Sequence, residues 1–240
     1  MIEQIEFIYS HSPQLLFGFP GQRPGGLLLS VMLAILAIVI GFFFALLVGA
    51  GQQSRSGPVR WVCQRYIDIF RGLPLILLVI IIYQLGGVRI LGFDINPLAA
   101  ALIALVLYSS AYQAEIVRAG LLSVPRQHVE SARVLGSSPL RAFFTVELPY
   151  ALRVMTPAFV GQAISLFKDT SVLVIIGAAE LMTITRAVLG SDITNLQHWI
   201  TLYLFVGLLY FGIAYAVSLI ARRWEEKSRS SELVHSLTTY

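Results

Sequence analysis

The sequence predicts an all-α integral membrane protein, with five membrane-spanning helices joined by short links and one helical hairpin outside the bilayer. Composition, the spacing of charges and the placement of arginine lead there. The 240 residues are 57% hydrophobic and 12% charged, with a mean hydropathy of +0.77, whereas a soluble domain is about a quarter charged. Five long stretches run from Pro24 to Ser54, Gly72 to Val88, Ile95 to Ala114, Val154 to Ala179 and Ile193 to Ala221. They contain no Asp, Glu, Lys or Arg except Lys168 and Asp169 in the fourth. A bilayer core takes about 20 apolar residues per helix, which predicts spans at 26–51, 66–88, 95–115, 154–179 and 199–221 of a single domain.

The amino terminus, MIEQIEFIYSHSP, is acidic, and no small-residue cleavage site follows the first apolar run. A cleaved signal peptide is therefore not expected, and that run stays as the first span. The second span is near the lower length limit. Segment 86–97, GGVRILGFDINP, is rich in Gly, Asn and Pro and has the composition of an external turn. After the third span, residues 115–153 form the only sizeable piece outside the membrane. The fourth and fifth spans follow, and then a basic tail.

Arginines sort onto one side of such a chain. Arg55, Arg60 and Arg65, then Arg118, Arg126, Arg133, Arg141 and Arg153, then Arg222, Arg223, Lys227 and Arg229 all share it, while the other side holds little more than Arg23, Arg89 and Arg186. Cytoplasmic loops carry the excess of Lys and Arg. The amino terminus is thus expected outside and the carboxyl tail in the cytoplasm. The same rule accounts for the net charge of +4 without nucleic acid. Cys63 stands alone, so an internal disulfide or thiolate cluster is excluded. His11, His128, His198 and His235 show no ligand spacing, and no metal is indicated.

The segment 123–149 carries its own punctuation. Ser123 and Pro125 suit a helix start, Gly136 stands where a left-handed residue ends a helix, and Ser138 with Pro139 makes an N-cap and first-turn pair. Two short helices with a bend at Gly136 follow. Val129, Ala132 and Leu135 lie to one side of the first, and Arg126, Glu130 and Arg133 to another. Phe143, Phe144, Val146 and Leu148 give the second helix apolar faces. Such a hairpin suits the membrane surface, and it equally suits a groove on a cytoplasmic partner.

Glu130-Ser131-Ala132, three residues, Gly136, nine residues and then Val146-Glu147-Leu148-Pro149 resembles the EAA motif of bacterial ABC importer permeases. That pattern is EAA, three residues, Gly, nine residues, I-x-L-P; here Ser131 replaces its middle residue and Val146 its isoleucine. FRGLPLIL (70–77), AYQAEIVRAGLLSVP (111–125) and FKDTSVLVIIGAAEL (167–181) are similar to segments of the polar-amino-acid branch, which serves histidine, glutamine, arginine and glutamate. The resemblance implies the ABC importer permease fold in a bacterial inner membrane. It also implies that Glu130, Ser131, Ala132, Gly136, Leu148 and Pro149 couple the chain to a cytoplasmic ATPase dimer. A second permease copy or a relative, and an extracytoplasmic binding protein delivering a polar L-amino acid, are expected beside it. No G-x-x-x-x-G-K-[ST] occurs in the sequence, so ATP is expected on the partner rather than on this chain.

Lys168 and Asp169 pose the sharpest question. A charge at the bilayer centre costs roughly 3 kcal/mol, and adjacent helical residues point about 100° apart, so these two are badly placed to neutralise each other. Each needs a partner in another span, a second subunit, water or ligand, and membrane lipid surrounds the chain. Gln162, Ser165, Thr170 and Ser171 add polar groups to the same span, and polar residues at such depth mark a substrate path. A lysine beside an aspartate matches the carboxylate and ammonium of an amino acid; a structural pair is the other account. Arg71 is either a further carboxylate partner or a snorkelling residue. A secondary transporter or channel for small polar solutes is the alternative function. An intramembrane hydrolase using His198 and Ser165 lacks any Gly-x-Ser-x-Gly context.

Overall fold

The computed structural model describes residues 2–21, 24–87 and 95–237, with the backbone alone for Ile2, Gly87 and residues 224–237. Arg23, Arg89 and most of the expected external turn 86–97 lie outside the described residues, as do the side chains of Lys227 and Arg229. The helices are α1 (Ile2–Phe17), α2 (Gly26–Gln52), α3 (Gly57–Gly72), α4 (Leu75–Gly87), α5 (Pro97–Leu122), α6 (Arg126–Val134), α7 (Pro139–Ala142), α8 (Leu148–Asp169), α9 (Leu181–Ser191) and α10 (Trp199–Leu237). A π-turn at Phe143–Glu147 fuses α7 to α8, and a 3-10 segment at Thr170–Ile176 extends α8. Another 3-10 segment, Ile193–His198, leads into α10.

Four units are long and apolar enough to cross a membrane: α2, α5, Pro139–Ile176 and Ile193–Arg223. A fifth is reached if the bent pair of α3 and α4 counts as one span, and here the structure departs from the single helix expected at 66–88. The two helices meet at 107°. Pro74 is the cause, because the residue before a proline is pushed out of the helical region, and Leu73 is extended at φ −87° and ψ 135°. The helical unit that carries the fourth span begins well before the expected 154, at Pro139, with α8 itself starting at Leu148, and it ends at Ile176, where Gly177 with φ +70° breaks the 3-10 segment.

Small residues decide how the spans pack. The buried stripe of α2 includes Ala37, Gly41, Ala45 and Gly49, four residues apart and thus on one face. A β-carbon at Gly41 would stand 3.3 Å from the Ser110 nitrogen, and one at Gly49 would stand 3.5 Å from Val117. Close helix approach through small residues is the usual mode in lipid. The register, with 41 beside 110 and 49 beside 117, shows that α2 and α5 run in the same direction. The chain therefore returns between them, and the bent α3–α4 pair makes that return. α5 is the most buried span and α10 the least. Against α5, α8 runs the opposite way, with Met155 beside Gly120.

The C-terminal ends of α2 and α5 and the start of α8 consequently gather at one end of the bundle. At the other, Gly26 N–H donates to Ala179 O at 2.9 Å. There α1 and α9, which the sequence did not mark as helices, join the core: Phe7 and Leu15 are buried with Leu181, Ile184, Val188 and Leu202. Neither is long or apolar enough to register as a span.

Candidate functional site

Where α3, α5 and α8 converge there is a cavity of about 270 Å³, lined by Arg71, Tyr112, Glu115, Gly120, Met155 and Ala158 among others. Arg71 occupies the last turn of α3, two residues ahead of the bend at Leu73. Its guanidinium carbon lies 5.3 Å from the centre of the Tyr112 ring, within cation–π range. Glu115 instead pairs with Arg118 one turn on, through Nε at 3.1 Å and a second N–H. This fork-shaped pairing fixes both side chains, and it leaves Arg71 within electrostatic range of Glu115 but in no salt bridge with it.

From this cavity a polar lane runs along the α5–α8 boundary. On α8, Ala158, Gln162, Ser165 and Asp169 follow one another at intervals of three or four and share a stripe. On α5, Glu115, Tyr112 and Tyr108 do the same in the opposite direction, and the two tyrosine rings lie 4.8 Å apart. Tyr108 is within electrostatic range of Asp169. Eleven residues separate Ala158 from Asp169, so the lane is about 16 Å long.

The expected site residues divide along these lines. Gln162, Ser165 and Asp169 belong to the lane, with Ser165 exposed and the other two half-buried. Lys168 is exposed at the edge of the stripe. Lys168 and Asp169 lie within electrostatic range of each other but make no salt bridge, in keeping with their offset of about 100°. Ser171 is half-buried in the 3-10 segment, and Thr170 is fully buried with its Oγ1 donating to Phe167 O at 2.7 Å. Thr170 therefore faces the packing and not the lane. Arg71 sits at the lane's far end. Tyr108, Tyr112 and Glu115 were not picked out from the sequence. Their i, i+4 and i+7 spacing was visible, but nothing in α5 alone told which face of that span would meet α8. His198 is buried against Phe7, with ring centres 4.4 Å apart.

The hairpin is built as its punctuation predicts. Gly136 has φ +88°, its N–H donates to Arg133 O and that of Ser137 to Ala132 O, both at 3.0 Å. These are the two bonds of a Schellman ending. Ser138 Oγ then accepts from the Arg141 N–H at 3.3 Å to start α7. The second helix, however, does not stop at Pro149; it passes through the π-turn into the fourth span, with Leu148 and Pro149 in the first turn of α8. Glu130 and Ser131 are exposed and Ala132 half-buried. Val134, Leu135, Leu140 and Phe144 expose between 57% and 87% of their surface around the bend. Large apolar side chains clustered like this mark a contact surface.

Residues 37–230 match the family described as binding-protein-dependent transport system inner membrane component. The chain is 34% identical over 200 residues to a probable glutamine ABC transporter permease protein of Bacillus subtilis, covering 83% of this chain and 90% of that one. A glutamate/aspartate import permease protein of Escherichia coli is 30% identical, with 81% and 88% covered. Among solved structures, an amino acid ABC transporter with histidines aligns at a TM-score of 0.77 and 26% identity over 95% of this chain and 96% of its own. The methionine transporter MetNI in an inward-facing form has the same fold at a TM-score of 0.64, with 82% and 94% covered.

Proposed function

We propose, from the premise that this chain belongs to the family of binding-protein-dependent transport system inner membrane components, that it is the permease subunit of an ATP-driven importer of polar L-amino acids. The observation that carries this reading is the lane between α5 and α8. It ends at a lysine and an aspartate that do not pair with each other, a complementary couple for the carboxylate and the ammonium of an amino acid. Relatives that serve glutamine and glutamate or aspartate support that substrate class. Lys168, Asp169, Gln162, Ser165 and Ser171 hold the substrate at one end of the lane, and Arg71 receives its carboxylate at the other. Thr170 serves from behind, through packing.

The exposed hairpin supports ATPase docking. Glu130, Ser131, Ala132 and Gly136 present the bend, and Leu148 with Pro149 transmits its movement, because α7 and α8 form one continuous helical unit. ATP is bound by that partner, a cytoplasmic dimer. A second permease copy or a relative completes the pathway, and an extracytoplasmic binding protein delivers the substrate. By the arginine rule the hairpin end is cytoplasmic and the amino terminus outside, in a bacterial inner membrane. A secondary transporter or channel has no use for such a hairpin.

Reconstitution of this chain with its ATPase and binding protein in proteoliposomes tests the proposal. ATP-dependent accumulation of at least one of labelled histidine, glutamine, arginine and glutamate is expected. Accumulation that persists without ATPase, or none of any amino acid with the complex intact, overturns it.

A further inference from the structure

A second polar cluster lies directly behind Lys168 and Asp169, and its centre is Glu180, whose exposure is 0%. Glu180 caps α9. Its Oε2 accepts from Met182 N–H at 2.9 Å, and its Oε1 accepts from Thr183 N–H at 2.8 Å and from Thr183 Oγ1 at 3.1 Å. An N-cap needs no more than these bonds. The carboxylate makes one further bond that capping does not require: the Tyr210 hydroxyl of α10 donates to Oε2 at 3.2 Å.

Tyr210 grips the chain on both sides of the charged pair. Its ring packs on Phe167, which precedes Lys168, with centres 5.3 Å apart. Its hydroxyl lies beside those of Thr170, which follows Asp169, and of Ser30 in α2. Ser30 in turn accepts from the Leu181 N–H at 3.2 Å. Ser30, Thr170 and Glu180 are all fully buried. The grip falls where it is needed, because α8 gives way to a 3-10 segment at Thr170, and helix ends carry unsatisfied carbonyls and fray.

We infer that Glu180 and Tyr210 are positioning residues: the carboxylate–phenol bridge holds the end of α8 at one rotation and thereby aims Lys168 and Asp169 into the lane. This rests on the substrate role of those two residues. Capping and bridging can be separated by chain length. Glu180→Asp keeps a carboxylate able to cap α9 but is one methylene too short to reach Tyr210, and Tyr210→Phe keeps the ring on Phe167 while removing the hydroxyl.

The experiment measures equilibrium binding of labelled L-glutamine, L-arginine, L-histidine and L-glutamate to the permease–ATPase complex in nanodiscs, without binding protein, together with the yield of complex. Asp169→Asn, Glu180→Asp, Tyr210→Phe and the Glu180→Asp, Tyr210→Phe double variant are compared with wild type. With yield unchanged, each bridge variant should weaken binding about 10-fold, the size of one lost charge-assisted hydrogen bond. The double variant should be no weaker than either single, because both break the same bridge. Full affinity in both bridge variants, alongside a loss in Asp169→Asn, overturns the positioning role alone. No binding by wild type, or full affinity in Asp169→Asn, removes the substrate role and this inference with it. If Tyr210→Phe lowers the yield of complex and leaves affinity intact, the cluster is a packing device and the inference fails.

Discussion

Lys168 and Asp169 sit one residue apart, and the substrate account and the structural account of them predict opposite results for the same set of variants. If they meet substrate, Lys168→Met and Asp169→Leu should each assemble normally with the ATPase and lose most uptake, and the double variant should stay inactive. If they are a buried structural couple, each single leaves an uncompensated charge and misassembles, while the double recovers, since apolar replacement of a buried pair is often tolerated. Uptake and complex yield measured side by side separate the two. Gly136 poses a different problem, one of backbone and not of charge. Nothing lies within 4 Å of where its β-carbon would be, so space does not forbid a side chain, but φ +88° does, at roughly 1–2 kcal/mol. Gly136→Asp adds a negative charge at the carbonyl end of α6, which the helix dipole also disfavours. The protein should insert normally, with ATPase co-purification and uptake both falling by an order of magnitude or more. Normal values of both would remove the docking role.

The elements obey two kinds of rule, and the sequence exposes them unequally. The bend at Gly136 and the start of α7 were legible because glycine and Ser-Pro act locally, through φ and through one capped N–H. The break at Leu73–Pro74 was open to the same reading, yet the apolar run continues across it and hid a turn of 107°. α1 and α9 were not legible, since their apolar residues become a stripe only when Leu15, Leu181 and Leu202 are brought together. The α2–α5 contact is a stringent test of element packing. Gly41→Leu would drive a branched side chain into the backbone at Ser110, and overpacking of this kind costs about 1–3 kcal/mol. Gly41→Ala, with its β-carbon at 3.3 Å, asks for a shift of only a few tenths of an ångström. Detergent-extracted yield and melting temperature should thus fall steeply for leucine and only slightly for alanine; equal effects would mean that the two spans do not rely on this approach.

For the whole molecule, the arginine rule predicts its direction in the membrane. Single cysteines at Arg55, Gly92 and Arg229 in a Cys63→Ser background test it, Gly92 belonging to the turn outside the described residues. An impermeant thiol reagent added to intact cells should label only position 92, and labelling at 229 would overturn the orientation. The lane was half legible at this scale. α8 announced its charges, because any charge inside an apolar run stands out, whereas the facing tyrosines of α5 are ordinary span residues until α8 lies across them. The bend between α3 and α4 has a consequence for the lipid as well. Because the two helices meet at 107°, they cannot both run along the membrane normal; when α4 stands across the bilayer, α3 lies close to its plane. The exposed Trp61, Val62 and Ile69 of α3, on a helix that also carries Arg60, Arg65 and Arg71, suit the boundary between headgroups and acyl chains, so the return between α2 and α5 is held by the lipid surface as well as by the bundle.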